Sequence, residues 1–158
     1  HGSEDILYAQ DESYNYNTLF APFASAKCNG KAKLFFINAS QGNQWDVGNE
    51  ICTDACDIPL YVPKGDDFLV ALSSVPEFTT MSHQERGSFF MQALIESLRN
   101  NESNDDILTV LTNVKKRIAA ELSANYGNVL EYKGECVLRE TRKQMPIFFS
   151  TLRQQVYV

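Results

Sequence analysis

The stretch that decides the reading is Lys31-Ala32-Lys33-Leu34-Phe35-Phe36-Ile37-Asn38-Ala39-Ser40-Gln41-Gly42. Leu34 to Ile37 is an unbroken apolar run, bounded by Asn29-Gly30 before it and Gln41-Gly42 after it. A run of this length between turn residues predicts a strand buried on both faces, of the kind found in parallel sheets covered by helices. Phe68-Leu69-Val70-Ala71-Leu72, stopped by Pro76, predicts a second such strand.

Outward from these two strands the pattern alternates. Ile6-Leu7-Tyr8 predicts a short strand followed by polar residues through Tyr16. Leu19, Phe20, Phe23 and Ala26 recur at helical spacing and predict a helix over 18–27, with Pro22 in its first turn. Residues 41–57 are polar and rich in turn formers and read as a loop. Phe90, Leu94 and Leu98 share one face of a helix that starts after Gly87-Ser88. Asp105 or Asp106 can cap a longer helix striped by Ile107, Leu111, Val114, Ile118 and Leu122. A hairpin is expected around Lys133-Gly134, and strands at Ile147-Phe148-Phe149 and Val156-Tyr157-Val158. Strands alternating with helices give an α/β class.

The chain has 158 residues, enough for one domain, and is 44% hydrophobic and 22% charged, which excludes disordered and fibrous classes. Its first residue is His1, as in a processed chain or a fragment, and the opening residues carry no secretory signal. No apolar run approaches the roughly 18–20 residues of a membrane span. Fourteen basic against twenty acidic residues give a net charge of −6. That balance argues against nucleic acid, whose phosphates call for clustered cations. The basic run Lys115-Lys116-Arg117 falls in the long helix and reads as a solvated face.

Cys28, Cys52, Cys56 and Cys136 are too few and too irregular for a disulfide framework and read as reduced thiols. Cys52 and Cys56 could begin a zinc site, but His1 and His83 lack ligand spacing to them, so no metal is expected. The sequons at Asn38 and Asn101 mean little without an export signal. GxGxxG and GxxxxGK[ST] are both missing, so no phosphate-cradling loop is expected. The residues alone therefore give an acidic α/β domain.

Lys31 to Gly42 also resembles the strand of the caspases that ends in their nucleophile signature, Q-A-C-[RQG]-G. His1-Gly2 with Ile6-Leu7-Tyr8 resembles the family's His-Gly motif and its next strand. Asp67-Phe68-Leu69-Val70-Ala71 with Ser74-Val75-Pro76 resembles the opening of the small subunit. Gly87-Ser88-Phe89-Phe90 with Gln92 is similar to the Gly-Ser-Trp-Phe helix start, and Lys143-Gln144-Met145-Pro146 to the segment before the interface strand. An unrelated flavodoxin-like binding module would need these ordered matches to be coincidence.

The resemblance implies a mixed, mainly parallel β-sheet flanked by helices, from which roughly the first third of a caspase domain is absent. It implies that residues 1–57 are the end of a large subunit with the intersubunit loop, and 58–158 a small subunit. It implies a cytoplasmic, cofactor-free cysteine protease that cuts after Asp through a thiolate, a histidine and an oxyanion hole of backbone N–H groups. His1 then matches the acid/base, Gly2 the oxyanion glycine, and Ser40 the nucleophile position, 40 − 1 = 39 residues on. That is shorter than the roughly 50 of the family signature.

The departures point elsewhere. A serine hydroxyl is far less acidic than a thiol of pKa about 8.5. Asn38 stands where the family has a pocket glutamine, Ser82 where it has a pocket arginine, Met81 at an aromatic and Phe89 at the tryptophan. Ordinary apolar packing accounts equally well for Met81 and Phe89. Arg86 is the nearest alternative cation and would serve only in a shifted register, while Gln41 is allowed by the signature. A pocket for Asp without its arginine leaves the substrate charge uncompensated.

Asp54, in Ile51-Cys52-Thr53-Asp54, resembles a processing site, although little extended chain surrounds it. The apolar strand at Ile147, Phe148 and Phe149 implies pairing with a catalytic caspase or with a second copy. The expected function is an inactive caspase homologue that regulates a catalytic partner in apoptosis. The alternative is an Asp-specific protease disabled by a Cys-to-Ser change at position 40.

Overall fold

The computed structural model describes residues 2–3, 6–43, 63, 65–83, 85–101, 104–125, 130–132, 135–137 and 143–158. Its centre is β5 (Phe68–Leu72), every residue of which is buried. β4 (Lys33–Ile37) lies parallel to it, with Phe35 opposite Val70, and β10 (Ile147–Ser150) lies antiparallel on its other side, with Phe148 opposite Ala71. The resulting sheet has the order β10-β5-β4.

The two-residue period of a strand divides these side chains between two cores. Leu69 and Ala71 face α2 (Phe89–Arg99) and α3 (Ile107–Asn125) together with Leu34, Phe36 and Phe148. Phe68, Val70 and Leu72 face Tyr16, Phe20, Phe35, Ile147 and Phe149. On that second face Phe35 stacks on Phe68 at 6.1 Å and meets Phe20 edge-on at 4.9 Å. A sheet covered on both faces is the architecture that continuous apolar strands require.

α2 begins where Ser88 accepts a hydrogen bond from the Met91 N–H, and α3 where Asp106 accepts one from the Thr109 N–H. Phe90, Leu94, Ile107, Leu111, Val114 and Ile118 are buried as their spacing predicts. Arg117 on α3 pairs with Glu96 on α2, and the Lys115 ammonium sits over the Phe148 ring. The basic run is therefore only partly a solvated face.

Several expectations need correction. β4 is half-buried along most of its length, and full burial on both faces belongs to β5. β3 (Ser13–Asn15) occupies part of the segment read as polar connection and pairs with β2 (Ile6–Tyr8), which pairs in turn with β1 (Gly2–Ser3). The helix expected over 18–27 is instead α1 (Tyr16–Phe20) followed by two 3-10 turns, Ala21–Ala24 and Ala26–Cys28. Asn15 starts α1 early by accepting from the Asn17 N–H, and Pro22 cannot continue it because its ring clashes with the preceding turn.

Leu98 is exposed at the far end of α2, off the packed face. Residues 156–158 form no strand and are held to the start of α3 instead, by an isolated bridge between Tyr157 and Asp106 and by the Ile107 N–H, which donates to the Val156 carbonyl at 2.8 Å. Among the described residues the parallel pairing is β4 with β5, and the remaining pairings are antiparallel. β8 (Leu130–Tyr132) and β9 (Glu135–Val137) pair as the hairpin reading predicts, although the turn residues 133–134 lie outside the described residues. Among the described residues no helix is long and apolar enough to cross a membrane.

Candidate functional site

The site lies where β4 leaves the sheet. The Ile37 carbonyl accepts from the Ser73 N–H at 3.0 Å, which continues the ladder one residue past β5. Ser73 then takes over with its side chain, accepting from the Ala39 N–H at 3.2 Å and donating to the Ala39 carbonyl at 3.1 Å. Because Ser73 is fully buried, this hydroxyl satisfies backbone groups that water cannot reach.

Beyond Ala39 the chain is held to the turn that ends β5. The Gln41 N–H donates to the Phe78 carbonyl at 2.9 Å, and the Glu77 N–H to the Gln41 carbonyl at 3.0 Å. A Cβ on Gly42 would collide with the Glu77 backbone, so this approach requires glycine. The Gln41 side chain is 2% exposed, and its Nε2 donates to the Tyr16 hydroxyl at 2.7 Å and to the Ala39 carbonyl at 3.1 Å. Burial raises the pKa of the Tyr16 phenol, and the bond from Gln41 opposes that only in part.

Ser40 is the centre of this arrangement and is 8% exposed. Its Oγ accepts from the Thr80 N–H and lies within hydrogen-bond distance of the Thr79 and Thr80 hydroxyls, each contact being 3.2 Å. Gly2 approaches from the other side. A Cβ there would stand 2.6 Å from the Ser40 carbonyl oxygen, so only glycine permits this contact. Gly2 and Ser40, 38 residues apart in sequence, are thus in contact. His1 and Asp54 lie outside the described residues.

A second wall comes from β6 (Ser82–His83) and β7 (Gly87–Ser88), paired with Ser82 opposite Ser88. Ser88 donates to the Asn38 Oδ1 at 2.7 Å, which ties the exit of β4 to the start of α2. Ser82 and Asn38 are exposed here, and both are neutral. Arg86 is also exposed, and Gln92 fixes its turn by donating to the carbonyls of Arg86 and Gly87.

Met81 and Phe89, by contrast, belong to the core beside α2 and α3. The Met81 N–H donates to the Gln144 Oε1 at 2.8 Å, and the Gln144 Nε2 donates to the Ser73 carbonyl at 2.8 Å. One buried amide therefore joins the second wall, the end of β5 and the approach to β10.

Thr79 and Thr80 escape the sequence reading, and Gln41 and Gln144, though both fall within motifs quoted above, are not marked by it as buried hydrogen-bonding residues. Each is polar, and their partners lie 25 to 71 residues away or in an irregular turn, so no periodicity marks them. Among the described residues, the hydrogen-bond partners of the Ser40 hydroxyl are the Thr79 and Thr80 hydroxyls and the Thr80 backbone N–H. Among the described residues, no three of His, Cys, Asp and Glu are arranged to hold a metal ion.

Comparison with known proteins gives this geometry its context. A family model described as the caspase domain matches residues 1–157. Caspase-1 of Spodoptera frugiperda is 37% identical over 159 residues, covering 96% of this chain and 51% of that protein. Caspase-3 of Bos taurus is 29% identical over 162 residues, covering 99% and 56%. The crystal structure of caspase-1 from Spodoptera frugiperda superimposes with a TM-score of 0.73 at 35% identity, covering 98% of this chain and 58% of that one. The chain thus spans about half the length of these relatives, and its α/β fold is theirs. It belongs to the caspase family.

Proposed function

We propose that the chain is a catalytically inactive caspase homologue that regulates a catalytic caspase by pairing with it, in apoptosis. The observation that carries this reading is the neutral wall formed by Asn38, Ser82 and Ser88. A site that cuts after Asp must compensate a carboxylate, and bidentate guanidinium pairing is the usual means. Ser82 holds the position that resembles the family's arginine, and an uncompensated substrate charge would bind poorly. The Ser40 hydroxyl supports the same reading, because a serine hydroxyl is far less acidic than the thiol that the family's chemistry uses.

The pairing surface would be β10. It forms one edge of the described three-stranded sheet, and Ile147, Phe148 and Phe149 on it are half-buried. An apolar edge strand invites a further strand or a second chain. A catalytic partner docked there would form a heterodimer in the cytoplasm, with no cofactor required.

The test is hydrolysis of an Asp-containing peptide by the Ser40→Cys variant, expressed together with the N-terminal part that caspase relatives have. No turnover from folded protein is expected. Clear turnover would favour the other reading, a protease whose one lesion is at position 40. Titration of the unaltered protein into a catalytic caspase should change that enzyme's rate and yield a mixed dimer, and neither effect at saturating concentration would overturn the regulatory role.

A further inference from the structure

We propose that Thr79 and Thr80 form a hydroxyl gate closed over position 40, so that in this chain the nucleophile position is a structural latch. A hydroxyl has one proton to give and two lone pairs to fill. At Ser40 the Thr80 N–H takes one lone pair, and the Thr79 and Thr80 hydroxyls supply the partners for the other lone pair and the proton. All three valences are engaged. The oxygen that an incoming carbonyl carbon would have to reach is the atom that holds the wall shut.

The gate is built into the surrounding chain. Thr79 and Thr80 follow Phe78, whose carbonyl accepts from the Gln41 N–H and from the Ser74 hydroxyl. They precede Met81, whose N–H is held by Gln144. The two threonines are therefore fixed at both ends against the turn carrying Ser40. Their hydroxyls suit a serine there. A thiol can make the same contacts as weaker hydrogen bonds, so it keeps the gate in place while holding it less firmly than the serine does.

The inference rests on the reading of position 40 as a disabled nucleophile site. It makes Thr79 and Thr80 positioning residues that act through Ser40. Its test uses no hydrolysis, so it can fail without the regulatory reading failing, and the reverse.

Hydrogen exchange on the whole chain reads the latch directly. Ser40→Ala should speed exchange of the Thr80 amide by about tenfold, the worth of roughly one hydrogen bond, with the Val70 amide in β5 unchanged. Ser40→Thr, which keeps the hydroxyl, should hold the slow rate. An unchanged Thr80 amide in Ser40→Ala would overturn the proposal.

Iodoacetamide labelling resolved by peptide reads the gate. In Ser40→Cys the new thiol should label more slowly than half-buried Cys28. Adding Thr79→Val and Thr80→Val should raise its rate at least about fivefold with Cys28 unaffected, since loss of the local hydrogen bonds frees the segment to open. Thr79→Ser with Thr80→Ser should keep it slow. Equal labelling rates with and without the two valines would overturn the gate.

Discussion

The two ends of the central sheet are held by different physics. At the end where β4 exits, amides and hydroxyls do the tying. Gln41, Ser73, Gln144 and the Ser40 cluster form a network in which the polar partners carry no charge. At the opposite end, charge dominates. Asp67 enters β5 with φ of +63°, and its buried carboxylate accepts from the Arg153 Nε at 3.1 Å, the Arg153 Nη2 at 2.5 Å and the Arg153 backbone N–H at 3.3 Å. Asp66 pairs with the same guanidinium at 3.3 Å, and the Lys33 ammonium lies 4.6 Å from the centre of the Phe68 ring. A neutral network is indifferent to salt and to mild acid, whereas an ionic clamp responds to both. Among the described residues, the network tying the exit of β4 is thus less coupled to salt and mild acid than the clamp at the opposite end.

The largest effect expected from breaking this contrast is at Gln144. Gln144→Leu removes both bonds of a buried amide and strands the Met81 N–H and the Ser73 carbonyl. Each orphaned group costs about 1–3 kcal/mol, so a loss near 3 kcal/mol in denaturant unfolding is expected, unchanged by added salt. A loss that shrinks in high salt would mean the site end is not electrostatically neutral after all.

Next comes Asp67. The Arg153 hydrogen bonds hold its carboxyl below the usual carboxylate range. Its folded pKa lies beneath its unfolded value of 3.8, so its contribution is present above that pH and is lost as pH falls through the folded value. Asp67→Asn should therefore flatten the acid side of the stability–pH profile and weaken its salt dependence. An acid limb identical to that of the unaltered chain would remove the distinction between the two ends.

The smallest effect is at Tyr16. Tyr16→Phe deletes one neutral bond to Gln41, which keeps the Ala39 carbonyl, and should cost about 1 kcal/mol near neutrality. The folded pKa of Tyr16 is raised above 10.0, so its stabilising share is complete below that pH and is lost as pH rises through the folded value. The variant should lose less stability than the unaltered chain above pH 10. An unchanged alkaline limb would show that the phenol is not buried as described.

What the sequence revealed of this arrangement followed from how local its signals are. β4, β5, α2 and α3 were legible because contiguous apolar runs and helical stripes are written into neighbouring residues. The Ser40 position was legible because a short motif carries it. β3 was not, since three residues with one apolar side chain give no period, and the break after Phe20 was missed although Pro22 marks it. The network around Ser40 was invisible for a different reason. A buried Gln41 or Gln144 has the composition of a surface residue, and only tertiary placement makes it interior.

The pairing of β10 with β5 has a consequence for how the protein is made. Ala71 meets Phe148 across 148 − 71 = 77 residues of chain. At about 5–20 residues per second, a ribosome needs roughly 4–15 s to travel that distance. Throughout that interval the apolar edge of β5 that β10 will cover stands open on the nascent chain, a template for any stray strand. The cell's demand for chaperone protection of this polypeptide is therefore set less by its finished surface than by the delay between its middle strand and its last one.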